Sequence, residues 1–391
     1  MSGGGQMAPR ARVLHFIESA GIYGAESVIL NLSREMAAAG GYEPVIGCIV
    51  QRDDEAVDLV RVAASMHIEA HRITIPNRRV LLDLPLAARH IAQLRIDLIH
   101  CHGYKPSVFA FVISAFSRIK VMATCHLWFI ESYAPVKMRV MIAVEKFLYR
   151  HFPAVVAVSQ QIRDILRSVG VHEDRLHLIR NGIVLSDYEP AEQAGTDAHP
   201  DSPGADDICV LNIARLAEQK AQRDLIAAAV LVKAAMANVR IIIVGEGELR
   251  EELSRQIAEA GVGDMVGLLG FRSDVASLLQ RADIFALPSL DEGMPISLLE
   301  AVAARVPVIV TAVGDIPKLI ADGVTGVIVN RRDPAGLAQA ILALARDPAR
   351  RASLAEHAWQ KLRVSYSSAQ MFEQYCEVYR KVLVPARTEA T

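Results

Sequence analysis

The chain has 391 residues, of which 52% are hydrophobic, together with five cysteines and a formal net charge of −2. This length suits two domains of ordinary size, and the small net charge gives no general attraction to nucleic acid. No apolar run reaches the roughly 20 residues of a membrane-spanning helix, and the start MSGGGQMAPRAR lacks the apolar stretch of a signal peptide. The scattered cysteines form no CxxC pair, which favours reduced, buried thiols in a cytoplasmic protein over disulfides or a zinc site.

Strand-like and helix-like segments alternate along the first half of the chain. Arg12–Ile17 is predicted to be a strand, and Glu26–Ala39 a helix that ends at Gly40-Gly41. Further short apolar runs predict strands at Pro44–Val50, Leu98–Cys101, Val121–Cys125 and Ala154–Val158. Alternation of this kind, with continuously apolar strands, favours a parallel sheet that is covered by helices on both faces.

The alternation stops at Glu189–Asp207, a stretch of Pro, Gly, Ala and acidic residues without Lys or Arg, which predicts a linker. It then resumes, with predicted strands at Cys209–Ile213, Val239–Val244, Ile284–Leu287, Val306–Thr311 and Gly326–Val329, and helices at Gln222–Ala237, Leu249–Ala260 and from Ile296. Tyr366–Val382 is predicted to be a helix that packs back on the first domain. We therefore predict an α/β protein with two doubly wound, Rossmann-like domains facing a cleft. The predicted parts are a disordered tail (1–10), a first domain (11–188), the linker (189–207), a second domain (208–365) and a crossover helix (366–385).

The loop after the predicted strand Ile284–Leu287 is the strongest candidate for a binding site. It reads Pro-Ser-Leu-Asp-Glu-Gly-Met-Pro and leads into a helix that begins at Ile296. The free N–H groups and the dipole of that helix start suit an anion such as a diphosphate, and Gly293 permits close approach of the backbone. Glu292 and Glu300 offer carboxylates that accept hydrogen bonds from paired hydroxyl groups of a ribose or a sugar ring. Taken alone, the same residues also fit an ordinary acidic helix start.

Two further loops of the second domain follow predicted strands. Arg215 and Lys220 come after Cys209–Ile213 and can neutralise the growing charge of a diphosphate leaving group. Gly245 and Gly247 come after Val239–Val244 and allow the chain to pass near a base or a phosphate, although two glycines alone are a weak motif. The chain contains no GxxxxGKS/T, so a P-loop is absent.

These motifs, in this order, resemble glycosyltransferase family 4, a family of retaining enzymes with the GT-B fold. The resemblance spans most of residues 208–330: Arg215 through Lys220, Gly245-Glu-Gly247, Leu269-Gly270, Ala282-Asp283, Pro288-Ser289 and Glu292-Gly293 through Glu300-Ala301. It implies that Arg215 and Lys220 hold the diphosphate of a nucleotide-sugar donor and that Glu300 binds ribose hydroxyls. Glu292 and the backbone of Gly293–Ile296 are implied to hold the sugar and the phosphates. The implied donor-binding set is Gly24, Arg215, Lys220, Gly245, Gly247, Glu292, Gly293, Met294, Pro295, Ile296 and Glu300.

Four positions depart from the pattern of the family. Ala221 stands where a glycine usually follows the lysine, and Tyr23 takes the first place of a usual Gly-Gly pair. Near the last strands, Gly314-Asp-Ile-Pro-Lys318 replaces the usual Gly-Gly-x-Pro-Glu. These departures concern the contacts that would determine which sugar and which base the donor carries. The expected donor is a UDP- or GDP-sugar.

In the first domain, candidate residues follow predicted strands in the same way. The loop that contains Gly21, Tyr23 and Gly24 leads into a helix and is predicted to face the ligand, Gly21 and Tyr23 on the acceptor side. His102 and His126 stand at the ends of two strands. The resemblance implies that His126 contacts the transferred sugar and belongs to the catalytic residues with Arg215, Lys220 and Glu292, and it suggests His102 as an acceptor-side residue. A metal triad of His100, His102 and His126 lacks an acidic partner motif, so metal-independent chemistry is expected.

The helix predicted at Val136–Arg150 has a basic stripe, Arg139, Lys146 and Arg150, which is interpreted as lying opposite Val140, Val144 and Phe147. This pattern is typical of a helix packed on a sheet, and it also fits a helix that lies on the inner face of an anionic membrane. The predicted function is transfer of a sugar to a saccharide or lipid-linked acceptor in polysaccharide or glycoconjugate biosynthesis. Two alternatives remain open: a GT-B-like sugar-nucleotide epimerase, and a non-catalytic partner subunit of another transferase.

Overall fold

A computed structural model of the protein describes residues 10–19, 21–22, 24–52, 54–76, 80–126, 136–189, 204 and 206–383, with the backbone alone at 80–83 and 137–138. The predicted N-terminal tail and most of the predicted linker lie outside these residues. The chain divides into two compact units, Met1–Arg180 with Ser368–Thr391, and Asn181–Ser367. The domain boundaries predicted from the sequence stay predictions.

The first unit is built on a parallel seven-stranded sheet in the order β3-β2-β1-β4-β5-β6-β7. Its strands are β1 Ala11–Glu18, β2 Tyr42–Val50, β3 Glu69–Thr74, β4 Leu98–His102, β5 Lys120–Cys125, β6 Val155–Ala157 and β7 Leu176–Leu178. Its helices are α1 Gly24–Ala39, α2 Asp58–Ser65, α3 Val80–Gln93, α4 Tyr104–Ala115, α5 Val136–Tyr149, α6 Gln160–Ser168 and, from the other end of the chain, α14 Ser368–Leu383.

Both faces of this sheet are buried, which explains the continuously apolar strands. Along β1, Leu14 and Phe16 belong to one hydrophobic cluster and Ile17 belongs to another. Because neighbouring side chains of a strand point to opposite faces, the two clusters lie on the two sides of the sheet. This arrangement is the doubly wound architecture that the alternation predicts.

The second unit has a parallel six-stranded sheet in the order β10-β9-β8-β11-β12-β13. Its strands are β8 Ile208–Ile213, β9 Val239–Val244, β10 Val266–Gly270, β11 Ile284–Leu287, β12 Val308–Thr311 and β13 Val327–Val329. Its helices are α7 Gln222–Ala235, α8 Arg250–Glu259, α9 Val275–Gln280, α10 Ile296–Ala303, α11 Ile316–Leu319, α12 Pro334–Arg346 and α13 Pro348–Ser365. The predicted fold, two Rossmann-like parallel sheets, is therefore confirmed.

The terminal helix α14 belongs to the first unit, as predicted. It contacts α1 and β5, and Ser368 donates a hydrogen bond of 2.5 Å from its Oγ to the Glu35 carboxylate. All five cysteines are free thiols, and only Cys376 is partly exposed. Within the described ranges, none of the helices combines the length and the apolar character that crossing a bilayer demands.

Candidate active site

Three loops of the second unit carry the site residues predicted there, except Ile296 and Glu300, which lie on α10. The loops follow β8, β9 and β11, which are neighbours in the sheet, and parallel strands end at the same edge. Backbone bonds join the loops directly, since Leu290 N donates to Gln219 O over 2.7 Å and Leu216 N donates to Glu246 O over 2.9 Å. The fold thus brings the predicted residues of this unit together.

Lys220 and Glu292 form a largely buried ion pair at this edge. The Lys220 Nζ atom lies 2.5 Å from Glu292 Oε1, and the two side chains are 15% and 5% exposed. Ser289 Oγ donates to the same carboxylate oxygen over 2.7 Å, and Thr311 Oγ1 donates to the Ser289 carbonyl over 2.5 Å. Side chains from two loops and from the end of β12 therefore hold the ammonium and the carboxylate in place.

Arg215 and the two glycines owe their placement to close contacts between loops. Gln222 donates a hydrogen bond of 3.0 Å to the Arg215 carbonyl, and the Arg215 guanidinium lies 3.7 Å from Glu248. A Cβ atom at Gly245 would lie 2.0 Å from the Ala214 carbonyl oxygen, and one at Gly247 would lie 2.3 Å from that of Leu216. Both glycines thus have a packing role, because any side chain there would push the Arg215 loop away.

The loop Glu292–Pro295 is anchored from several sides before α10 begins. Asn181 Nδ2 donates to the Met294 carbonyl over 3.0 Å, and Asp315 N donates to the Gly293 carbonyl over 2.9 Å. Gly314 packs so closely that an added Cβ would lie 2.0 Å from the Glu292 carbonyl oxygen. The N–H groups at the start of α10 have no intrahelical acceptors, and with the helix dipole they favour a negatively charged group beside them.

Glu300 lies on α10, one turn beyond this helix start. Its Oε1 accepts a hydrogen bond of 2.9 Å from the Tyr188 hydroxyl. Desolvation by burial raises the pKa of Glu300 to about 7, and the Tyr188 bond opposes this rise. The carboxyl group is therefore close to half-ionised at neutral pH.

The departure at Ala221 places an alanine in a left-handed conformation. Ala221 has φ 51° and ψ 37° at the start of α7, a region that costs an L-residue about 1–2 kcal/mol. We expect Ala221→Gly to raise the free energy of unfolding by about 1 kcal/mol, which thermal unfolding would detect as a higher Tm. The control is Ala352→Gly at an exposed position within α13, which should lower stability by about 1 kcal/mol. A lower Tm for Ala221→Gly would contradict the prediction.

In the first unit, the structure brings His102 and His126 together and adds His15, which the sequence did not single out. His102 Nδ1 lies 2.9 Å from His126 Nε2, and His15 Nδ1 lies 3.2 Å from His102 Nε2. Burial lowers the pKa of His15 to about 3 and that of His126 to about 4, so both rings are neutral at pH 7.

The glycine loop and the histidine triad differ in how far the structure describes them. Gly21 follows β1, where Ser19 Oγ donates to its carbonyl, and Gly24 is the first residue of α1. Tyr23 lies outside the described residues.

Among described residues, the histidines whose nitrogens cluster within 4.8 Å are His15, His100 and His102, not the predicted triad of His100, His102 and His126.

Three residues that shape the site were not singled out from the sequence: Asn181, Tyr188 and Thr311, each of which acts through a contact with a distant part of the chain. The Asn-Gly pair at Asn181-Gly182 is the sequence feature that could have pointed to one of them. Ser289 and Gly314 stand in motifs already recognised in the sequence, and the structure adds their close approach to Glu292.

Comparisons with known proteins cover most of the chain. Residues 22–187 match the family model "Glycosyltransferase Family 4" and residues 197–361 match "Glycosyl transferases group 1". The α-maltose-1-phosphate synthase of Mycolicibacterium smegmatis is 31% identical over 257 residues, 61% of this chain and 66% of that protein. The glycogen synthase of Mycobacterium tuberculosis (strain H37Rv) is 27% identical over 380 residues, 89% of each protein.

A solved structure of similar fold is that of Anabaena Alr3699/HepE in complex with UDP and glucose. It superimposes with a TM-score of 0.81 at 21% identity and covers 95% of this chain and 100% of that chain. A further structure of that protein contains UDP-glucose, with a TM-score of 0.80. At 21% identity, this similarity shows the fold alone.

Proposed function

Because this chain belongs to glycosyltransferase family 4 and has the GT-B fold of that family, we propose that it transfers a sugar from a UDP- or GDP-sugar to a saccharide or lipid-linked acceptor with retention of configuration. The reaction would serve polysaccharide or glycoconjugate biosynthesis. The observation that carries the proposal is the buried Lys220–Glu292 pair beside the start of α10. An ammonium and a carboxylate at fixed, adjacent positions suit a phosphate and a sugar hydroxyl that are themselves adjacent in a nucleotide-sugar.

Cationic groups of the chain would stabilise the leaving diphosphate. Lys220, Arg215 and the N-terminus of α10 offer positive charge or N–H donors where negative charge grows as the glycosidic bond to phosphate breaks. These groups supply the neutralisation that a divalent metal provides in other enzymes, so we propose metal-independent chemistry. Glu300 would accept hydrogen bonds from ribose hydroxyls, and Glu292 from the transferred sugar. The departing diphosphate would help to deprotonate the acceptor on the same face of the sugar.

Binding and product analysis would test the proposal together. A panel of UDP- and GDP-sugars should contain a compound that raises the Tm, because a ligand of the folded state stabilises it. That compound should then give a glycosylated product with saccharide or lipid-linked acceptors, and NMR of its anomeric proton should show retention. Turnover of the donor without acceptor would point to an epimerase, and donor binding without transfer to any acceptor would point to a non-catalytic subunit.

The Glu300 carboxyl group makes donor affinity depend on pH. Ribose hydroxyls donate to the ionised carboxylate, and the pKa of Glu300 in the free protein is about 7. Affinity should therefore rise about tenfold between pH 6 and pH 8, as the ionised fraction increases. Isothermal titration with UDP-glucose, whose diphosphate diester does not titrate in this range, would measure it. Glu300→Gln should abolish the dependence, and an affinity of the unchanged protein that is flat with pH would refute this reading of Glu300.

The surface of α5 supports a peripheral contact with a membrane. Four apolar side chains form one exposed stripe, each between 37% and 76% exposed: Val136, Val140, Val144 and Phe147. Arg139 and Arg150 are exposed as well. Arg139 and the half-buried Lys146 run along one edge of the stripe at helical spacing, and Arg150 follows one residue after the end of α5. The sequence interpretation that the basic and apolar stripes lie on opposite sides is thus wrong, because the buried side of α5 is formed by Ile142, Glu145 and Leu148 instead.

An anionic bilayer surface fits this combination of side chains. The apolar stripe would enter the boundary between headgroups and acyl chains, while each basic residue gains about 1 kcal/mol beside anionic lipid. Such a surface is typical of the cytoplasmic leaflet, where a lipid-linked acceptor would be met. We therefore propose peripheral binding at the cytoplasmic face of the membrane.

Vesicle flotation would test this contact. The protein should float with phosphatidylserine-containing vesicles at low salt, and Val140→Asn with Phe147→Asn should reduce the bound fraction about tenfold or more. Val364→Asn is the matched control, since Val364 is 61% exposed on α13. Absence of flotation, equal loss with the control variant, or a dimer that the double variant dissociates would each refute the membrane proposal.

A further inference from the structure

A chain of hydrogen bonds runs through the interior of the first unit to His126. His15 lies on β1, His102 on the neighbouring strand β4, and His126 directly after the next strand, β5. The ring nitrogens are 3.2 Å apart from His15 to His102 and 2.9 Å apart from His102 to His126. His15 and His102 are 0% and 3% exposed. At the inner end of the chain, His15 Nε2 lies 3.4 Å from the Met36 sulfur.

The Met36 sulfur gives this chain a direction. A thioether has no proton and can only accept a hydrogen bond, so His15 Nε2 must carry the proton of that contact. A neutral imidazole has one N–H group, which leaves His15 Nδ1 as an acceptor for His102 Nε2–H. His102 Nδ1 is then an acceptor for His126 Nε2–H.

Two observations support this assignment. Burial lowers the pKa of all three histidines, so the rings are neutral and each has a single proton to place. The opposite direction would set an unprotonated His15 Nε2 against the lone pairs of the sulfur and leave a buried acceptor unpaired. His100 is as deeply buried and lies outside this chain, because its nitrogens contact Tyr379 OH at 3.0 Å and Thr124 Oγ1 at 2.7 Å.

We propose that His15 and His102 are positioning residues which, with Met36, hold His126 in the Nε2–H form, so that His126 Nδ1 presents a hydrogen-bond acceptor to a hydroxyl group of the ligand. The assignment of the ligand as the transferred sugar rests on the proposed function. The arrangement selects for a sugar that has a hydroxyl group, a proton donor, at the position which meets His126. A sugar with only an acceptor at that position is disfavoured, because two acceptors would face each other.

The first experiment reads the position of the proton directly, without any substrate. In protein labelled with ¹⁵N-histidine, the His126 signals, assigned with His126→Asn, should show Nδ1 as unprotonated and Nε2 as protonated. Met36→Leu keeps the volume and removes the sulfur acceptor, so a mixture of the two His126 forms is expected. His100→Phe is the matched control for damage to the buried cluster and should leave the His126 form unchanged.

The second experiment uses the donor found to be active, with each sugar hydroxyl replaced in turn by hydrogen or by fluorine. At the position that meets His126, both replacements should lower kcat/KM by about tenfold or more, because fluorine cannot donate a hydrogen bond. In Met36→Leu this penalty should shrink for fluorine and not for hydrogen. A structural role alone would lower activity with every donor equally.

Several results would overturn the inference. They are a His126 Nδ1–H form or a protonated His126 ring in the unchanged protein, full activity of the fluorinated donors, or a stoichiometric metal ion on His15, His100 and His102 by elemental analysis. If the nitrogen signals are as expected and no nucleotide-sugar binds, the proposed function fails and the assignment of the proton stands.

Discussion

Replacement of Lys220 by methionine is expected to lower kcat/KM for the nucleotide-sugar about a hundred- to a thousandfold. The ammonium group lies 2.5 Å from Glu292, in the loop before α10, where we propose that negative charge develops on the leaving diphosphate. A preorganised donor of this kind typically contributes a factor of about 10² to 10³ to the rate. Steady-state kinetics with the best donor would measure the loss.

The same substitution should destabilise the fold, and a second variant separates the two effects. Lys220→Met removes the ion-pair partner of the Glu292 carboxylate, which is 5% exposed and keeps only its hydrogen bond from Ser289. Loss of that partner should lower the free energy of unfolding by about 3–5 kcal/mol. Lys220→Met with Glu292→Gln removes both charges, so stability should largely return while activity stays low.

Lys233→Met is the matched control for loss of a lysine. Lys233 is half-buried, and its Nζ lies 2.5 Å from the exposed Asp264, in a surface pair that contributes little to stability. A Lys220→Met protein with activity within about threefold of the unchanged enzyme would contradict the role of Lys220.

A methyl group at Gly314 should disrupt the donor loop from behind. In Gly314→Ala the new Cβ would lie 2.0 Å from the Glu292 carbonyl oxygen and 2.5 Å from that of Gly293. The residue also has φ 54°, which costs alanine about 1–2 kcal/mol. We expect a loss of about 2–5 kcal/mol in unfolding free energy, together with loss of donor binding, because the loop must move to admit the methyl group.

Gly323→Ala isolates the backbone contribution of this effect. Gly323 also has a positive φ, 70°, and nothing lies within 4 Å of its added Cβ. It should therefore lose about 1 kcal/mol and retain donor binding. Equal effects of the two substitutions in thermal unfolding and titration calorimetry would show that the close approach at Gly314 does not matter.

The sequence was sufficient for the fold class because burial of both sheet faces makes the strands continuously apolar. It was least informative at elements that do not follow this rule. The strand β3, Glu69–Thr74, lies at the edge of its sheet and exposes much of its length. Because β3 contains polar residues in place of a continuous apolar run, this strand was not predicted.

The candidate site was predictable where residues of one loop act together. The loop from Pro288 to Ile296 and the Arg215–Lys220 segment are local patterns, and the structure brings them together. Their support was not predictable, since Tyr188 reaches Glu300 and Asn181 reaches Met294 from more than a hundred positions away. The exposed side of α5 was assigned wrongly because periodicity gives the relative positions of two stripes only when the buried face is known.

The return of α14 to the first unit has a consequence for biosynthesis. The Tyr375 hydroxyl lies 2.9 Å from Thr124 Oγ1, and Tyr379 reaches His100, so the last helix completes a buried polar cluster that the first strands begin. A ribosome delivers these tyrosines only after the whole second unit has been translated. The first unit is therefore the first to emerge from the ribosome and the last to be completed. Until α14 is made, the nascent chain exposes to chaperones the surface that α14 later covers.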